Sequence, residues 1–326
     1  MRPADQPARV FSTAGLPEAR RVELWESHNA SALIGLAVHA DRPLEATEVN
    51  VQLPRVQLAR VAGSPHTVAR TADAIRRDPA DAIAVYLLLR GDSWFRTGSG
   101  THAVRAGTAV ICEADRPFAR GFALGLEELV VKVPHAALAG VPDVREPRQV
   151  SLAGDPYARA LARAAGRATA LARPAGRTAA GAGAGAGAEA DGHAVPADEA
   201  TVLDLVSVLI AGRRASPASA HRAAARSYIE DHLTEPDLGA GRIAAAIGIS
   251  ERQLSRVFAA DDTSVPRHIL SRRLQLAHAL LAGAPGDVPV AEVAARCGFT
   301  SAAYFSHAFA GHFGRRASEV RASAGL

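Results

Sequence analysis

The sequence predicts a two-domain α+β protein. An antiparallel β-sandwich or barrel with flanking helices comes first, and an all-helical domain with two helix-turn-helix units follows. Three observations predict this. Between residues of about 10 and 150, short β-branched apolar runs alternate with Gly and Pro. From Ser216 onward that texture vanishes and helical spacing replaces it. Within this rear part, "AAIGISERQLSRVF" from Ala245 and "AARCGFTSAAYFSHAF" from Ala294 repeat one pattern about fifty residues apart. At 326 residues and 48% apolar, the chain is long enough for two cores.

In the front part, "EARRVELWESHNA" has the look of a helix. The runs "VQLARVAG", "AIAVYLLLRG", "TAVICEA", "FARGFAL" and "ELVVKVPH" read as strands by length and β-branched content, with "RGDSW" and "RAGTAV" as turns. Several short strands in succession imply a sandwich or barrel. Helices follow over Asp155 to Leu171 and Glu199 to Arg213, the latter with a wide apolar face. Between them, about 173–198, lies a Gly/Ala-rich stretch with too little apolar bulk to fold, read as a flexible insertion. Its glycines miss the G-x-G-x-x-G spacing and follow no strand, so it is no phosphate cradle. The expected domains are 1–150, a helical connecting region 151–215, and 216–326.

The rear domain reads as helices over Ala218–His232, Gly239–Ala246, Glu251–Ala260, Pro266–Ala282, Val290–Arg296, Ser301–His312 and Ala317–Ala322. In the first copy of the repeat, Ile243, Ala244 and Ile247 share a helical face. Gly248 can take positive φ and close a tight turn. Ser250 is a good N-cap, with Gln253 three residues on as in a capping box. Leu254, Val257 and Phe258 turn inward, leaving Glu251, Arg252, Ser255 and Arg256 outward. The second copy matches: Val293, Ala294 and Gly298 at an offset of 50, then Ser306, His307 and Phe309 at 51. Its turn is therefore one residue longer. Here Thr300 is expected to cap, Phe305, Ala308 and Phe309 to face in, and Ser301, Ala302, Ala303, Ser306 and His307 to face out. Each copy has the plan of a helix-turn-helix.

Between the copies, "VPRHILSRRLQLAHALLAG" is an amphipathic helix with Ile269, Leu274, Ala277, Leu280 and Leu281 on one side. About 17 residues give roughly 25 Å, a suitable strut for two reading helices about one DNA turn, roughly 34 Å, apart. Charge alone does not argue for DNA. Net charge is +4, and from Ala218 onward twelve Arg face ten Asp and Glu. This is no basic stripe.

From about Ala223 to Ala322, "IAAAIGISERQLSRVF", "RRLQLAHALL" and "VAEVAARCGFTSAAYFSHAFAGHFG" resemble the DNA-binding domain of AraC/XylS-family transcription regulators. The resemblance implies seven helices, two helix-turn-helix units and binding to promoter DNA. It places Ser250, Glu251, Arg252, Ser255 and Arg256 at the DNA from the first unit. From the second it places Thr300, Ser301, Ala302, Ala303, Ser306 and His307. Members often carry Arg at His307, a basic residue at Ala310 and Pro at Ala317. The second reading helix is thus poor in donors, and the first is expected to carry more of the specificity.

The front part resembles, more loosely, the cupin-like ligand-binding domain attached to a subset of that family. The resemblance implies a small organic effector, a carboxylic acid among the candidates, and a homodimer that works with RNA polymerase. Tyr86, Trp94 and Phe122 are candidate cavity residues, with Arg60, Arg70 or His66 to meet a carboxylate. The alternative is a regulator whose front domain serves dimerisation or protein contact without a ligand. An enzyme is not expected. No two front histidines are adjacent or two apart, as a cupin metal site needs, and neither H-E-x-x-H nor G-x-S-x-G occurs. No metal or other cofactor is expected. Cys112 and Cys297 lie far apart and read as buried packing residues of a cytoplasmic protein. No run of eighteen apolar residues suggests a membrane span, and no hydrophobic leader suggests export.

Overall fold

The computed structural model describes residues 9–138, 140–170, 197–283 and 288–323. The Gly/Ala-rich stretch, up to residue 196, lies outside the described residues. The chain divides into two compact units: Met1–Gly181 with Leu205–Arg213, and Ala182–Asp204 with Arg214–Leu326.

The first unit is a β-sandwich. Its strands are β1 (Arg9–Ser12), β2 (Ala37–His39), β3 (Ala46–Gln52), β4 (Gln57–Gly63), β5 (His66–Arg70), β6 (Ala82–Arg90), β7 (Asp92–Thr97), β8 (Gly100–Arg105), β9 (Thr108–Glu113), β10 (Phe118–Phe122), β11 (Leu126–Pro134) and β12 (Arg148–Ser151). Seven form one sheet in the order β1-β3-β4-β11-β6-β9-β12, and five form the other, β2-β5-β10-β7-β8. Neighbouring strands run antiparallel. Helix α1 (Arg21–Ala32) adds Trp25 to the core between the sheets. A short α2 (Ala72–Arg77) starts on the Thr71 hydroxyl, and α3 (Pro156–Ala170) packs on β3, β4 and β11.

The period of two sorts side chains between faces. Val61, Tyr86, Leu88, Val110 and Val130 face Val68, Phe95, Phe118 and Phe122 across the sandwich. On the opposite face of the seven-stranded sheet, Leu58, Leu87, Ile111 and Leu129 are equally buried. Both faces of this sheet are therefore dry, as an α-helix laid over one of them requires. One expected turn is narrower than read. In "RGDSW" only Gly91 turns, at φ +88°, and Asp92 already opens β7. A Cβ on Gly91 would lie 2.4 Å from the Gly125 carbonyl oxygen, so the close approach of two turns requires glycine there.

The second unit is helical. After α4 (Glu199–Ala211), whose residues from Leu205 on belong to the first unit, come α5 (Pro217–Asp231), α6 (Ala240–Ile247), α7 (Glu251–Ala259), α8 (Val265–Gly283), α9 (Val290–Arg296), α10 (Ala302–Phe313) and α11 (Ala317–Ser323). Helices α5, α6 and α7 touch one another, as do α9, α10 and α11 in sequence, and α8 touches α7, α9, α10 and α11. One core joins them, built on Ile229, Ile243, Leu254, Phe258, Leu276, Phe305 and Phe309. No helix of the described residues is long and apolar enough to cross a membrane.

Candidate nucleic-acid interface and sandwich interior

The two copies coincide down to their backbone hydrogen bonds. Ile243 N donates to Gly239 O and Val293 N to Pro289 O, each at 3.1 Å. Ile249 N donates to Ala244 O and Phe299 N to Ala294 O, each at 3.0 Å. Gly248 (φ +73°) and Gly298 (φ +81°) take the left-handed conformation that makes this closure possible. Beyond the turn the matching pairs are 51 apart: Leu254 N to Ser250 O, and Phe305 N to Ser301 O. The extra residue therefore sits between Gly298 and Ser301.

That placement corrects one expectation. Ser301, not Thr300, caps α10, its hydroxyl accepting from Tyr304 N. In the first copy Ser250 accepts from Gln253 N, but the Gln253 side chain meets His221 rather than closing a capping box.

All eleven expected contact residues are exposed: Ser250, Glu251, Arg252, Ser255 and Arg256 around α7, and Thr300, Ser301, Ala302, Ala303, Ser306 and His307 around α10. Ser306 already donates its hydroxyl to Ala302 O. Tyr304, 56% exposed on α10, is a further outward side chain that the sequence reading did not single out.

Most rear-unit arginines are spent internally, which explains why charge counting is uninformative. Arg222 and Arg226 of α5 share Asp204 and Asp261. Arg272 pairs with Glu230, both buried. Arg273 donates to the carbonyls of Leu233 and Glu235, and Arg242 pairs with Glu235 and Asp237. No hydrogen bond or ion pair among the described residues engages the Arg252 or Arg256 guanidinium.

In the first unit the candidate effector residues scatter. Arg60 is in register with Leu129 and so lies on the α3 face of the sheet, ion-paired with Glu127. Arg70 faces inward but is consumed: it donates to the carbonyls of Gly35, Asp78 and Ala114 and to the Asp115 carboxylate. Neither is available to an interior carboxylate. Trp94 is on the outer face of the five-stranded sheet, over Gly121, where a Cβ would lie 2.3 Å from the indole. His66, Tyr86 and Phe122 do face the interior. His66 Nδ1 is 2.7 Å from Ser64 O, its ring lies against Phe122, and burial lowers its pKa. Trp94, His66 and Phe122 border one cleft of about 880 Å³.

The interior also holds charges that the sequence reading passed over. Arg120 of β10 makes a two-point ion pair with Glu128 of β11. Its guanidinium carbon lies 4.0 Å from the centroid of the Tyr86 ring and 4.9 Å from that of Phe122. The signal was present: in Phe118-Ala119-Arg120-Gly121-Phe122 the period of two puts Arg120 on the phenylalanine side. Glu48 of β3 is wholly buried, and neither carboxylate oxygen has a hydrogen-bond partner. Cys112 and Cys297 are free and buried, and burial pushes each thiol up to about 12. Among the described residues no His, Cys, Asp or Glu cluster fits a metal ion.

Two family profiles match the chain: an AraC-binding-like domain over residues 29–212 and a helix-turn-helix domain over 243–323. The chain is 25% identical to the transcriptional activator NphR of Rhodococcus sp. over 264 residues, covering 79% of this chain and 75% of that protein. It is 28% identical to the transcriptional activator RhrA of Rhizobium meliloti (strain 1021) over 99 residues, covering 30% of this chain and 32% of RhrA. Among solved structures it is similar to the AraC-like transcriptional activator CuxR, with a TM-score of 0.45 and 20% identity over 83% of this chain and 96% of that one. With the AraC-binding-like profile spanning more than half its length and the helix-turn-helix profile after it, this chain belongs to the AraC family of transcription regulators.

Proposed function

We propose that the chain activates transcription by reading two successive major grooves with α7 and α10, under the control of a small organic effector held in the front sandwich. One observation carries the DNA reading: the repeated turn presents two exposed, capped helices from one core. The α8 strut of 19 residues is roughly 28 Å long at about 1.5 Å per residue, near the spacing of one DNA turn. Arg252 and Arg256 supply donors for guanine edges or phosphates, and the alanines of α10 suit a thymine methyl. The protein acts as a cytoplasmic homodimer in contact with RNA polymerase. NphR and RhrA, both named as activators, favour activation over repression.

The effector half of the reading rests on the buried polar atoms of the sandwich, which a guest would satisfy. Footprinting the full chain on the promoters flanking its gene tests the first half. Two protected half-sites about one helical turn apart are expected; a single short footprint overturns two-groove reading. A promoter reporter that responds to whole cell extract but not to dialysed extract supports the effector. An equal response to both favours a front domain that only assembles.

A further inference from the structure

Two clefts of about 880 Å³ each open at one end of the sandwich, by the turns at Gly63 and Gly125. Their walls include inward-facing residues, Ala46 and Leu126 in one, His66 and Phe122 in the other. Two residues further in along the same strands, on the same face, stand Glu48, Glu128 and Arg120. Register fixes the layer: Glu48 pairs Val61, and Val61 pairs Glu128. The two carboxylate-bearing strands are thus separated by one strand, roughly 9–10 Å.

The charges do not balance. Glu128 is answered by Arg120, and Glu48 is not. The closest basic group, His28 Nε2, stands 3.8 Å from Glu48 Oε2. That nitrogen lies 3.1 Å from the Asn50 amide nitrogen, and its 3.8 Å separation from the carboxylate is beyond hydrogen-bond reach. Asn50 Oδ1, Tyr86 Oη and Arg120 Nε are likewise buried without partners. Around Glu48 the unpartnered atoms, its two carboxylate oxygens and Asn50 Oδ1, are all acceptors, and this end of the interior calls for a guest that brings donors; the unpartnered donors, Tyr86 Oη–H and Arg120 Nε–H, lie together at the Arg120 end. Aromatic rings wall it: Phe11 and Trp25 on the Glu48 side, Tyr86 and Phe122 beside Arg120.

We propose that this interior layer takes a small amine with an apolar body, its ammonium group donating to the Glu48 carboxylate and its body lying against the aromatic walls. The inference rests on the reading of the front unit as an effector domain. A carboxylate guest fits poorly. It would add a third anion to Glu48 and Glu128, whose only answering charge among the described residues, Arg120, is already neutralised by Glu128 and keeps just its Nε–H free, while the Arg70 donors are spent on carbonyls and Asp115.

Calorimetric titration of the full chain with benzylamine, benzyl alcohol and benzoate separates the chemistries at nearly constant shape, and n-butylamine and n-hexylamine extend the size range. At least one amine is expected to bind, with benzylamine preferred over its alcohol and benzoate excluded. Glu48→Gln should weaken amine binding about thirtyfold or more, as loss of one member of a buried charge pair does, and should erase the preference over alcohol. Glu48→Asp, which keeps the charge, should retain the preference. Benzoate or alcohol binding at least as tightly as the amine overturns the proposal and leaves the effector reading standing. An amine preference that survives Glu48→Gln overturns it as well. So does the absence of binding by every amine; the effector reading is then judged by the dialysis experiment alone.

Discussion

Ser250 and Ser301 occupy the same place in the two copies of the repeat, each hydroxyl accepting from the backbone nitrogen three residues on, at 3.2 Å in both. Removing an N-cap hydroxyl costs roughly 1 kcal/mol. Ser250→Ala and Ser301→Ala should each lower stability by about that amount, whereas Thr300→Ala, exposed and outside the cap, should stay within about 0.5 kcal/mol. Denaturant unfolding followed by far-ultraviolet circular dichroism checks this. A larger loss for Thr300→Ala than for Ser301→Ala would return the cap to the earlier residue.

The Arg120–Glu128 pair links strands of the two facing sheets, with both side chains at most 5% exposed. Removing one member of a buried pair leaves an uncompensated charge, a loss of about 3–5 kcal/mol. Arg120→Met should destabilise the front unit by that order, and adding Glu128→Gln should recover much of it. Both tryptophans, Trp25 and Trp94, lie in the front unit, so their fluorescence follows its unfolding. Additive losses in the double variant would show that the pair is not the coupled unit described.

Glu48 gives the front unit a pH dependence of defined sign. Burial raises its carboxyl from 4.5 to about 7, and the Glu128 charge adds to the rise. The folded state therefore prefers the proton. The stability this contributes is complete below about 4.5 and is lost as pH rises through about 7. Glu48→Gln stays neutral, so the variant should match the parent below about 4.5, gain on it steadily as pH rises to about 7, and keep a constant lead above that. His135 also loses stabilisation with rising pH. Burial works against its charge, but Asp81 and Glu113 hold its pKa above the ordinary value. His135 is common to both chains and cancels in the difference. A parent–variant gap that is constant with pH would remove Glu48 as its source.

The helical half was legible because its signals are local. Gly248 and Gly298 close turns, Leu254, Val257 and Phe258 mark one face, and the shift from 50 to 51 appears again in the hydrogen bonds. The cap was misplaced because Thr300 and Ser301 are adjacent and both can cap; only the path of the longer turn selects one. In the front half the difficulty is parity. Alternation shows that Arg60 and Val61 face opposite ways, but both faces of the seven-stranded sheet are buried, so it does not show which is the interior. Arg70 was beyond reach for another reason. Its partners at Gly35, Asp78, Ala114 and Asp115 come from loops scattered along the chain.

The two reading helices should contribute unequally. Arg256 and His307 occupy matching positions, three residues beyond Gln253 and Tyr304, and both are exposed. The Arg256 guanidinium has no partner among the described residues, so it enters a complex without breaking an internal contact. Set against guanine it can meet O6 and N7 together, worth about 1–3 kcal/mol of discrimination. A histidine ring offers no such fork, and around His307 the outward neighbours Ala302 and Ala303 donate nothing while Ser306 has spent its hydroxyl on its own helix. Arg256→Ala should therefore cost more affinity for a mapped operator than His307→Ala at equal salt, and should relax base choice at one position. His307→Ala should weaken binding slightly and evenly over sequences. Arg252→Ala, one turn earlier, separates phosphate from base contact: a phosphate contact lowers the salt slope by about one unit without changing sequence preference. Selection of bound sites from a random DNA pool reads all three variants at once. Unchanged site preferences in every variant would place base recognition outside α7 and α10.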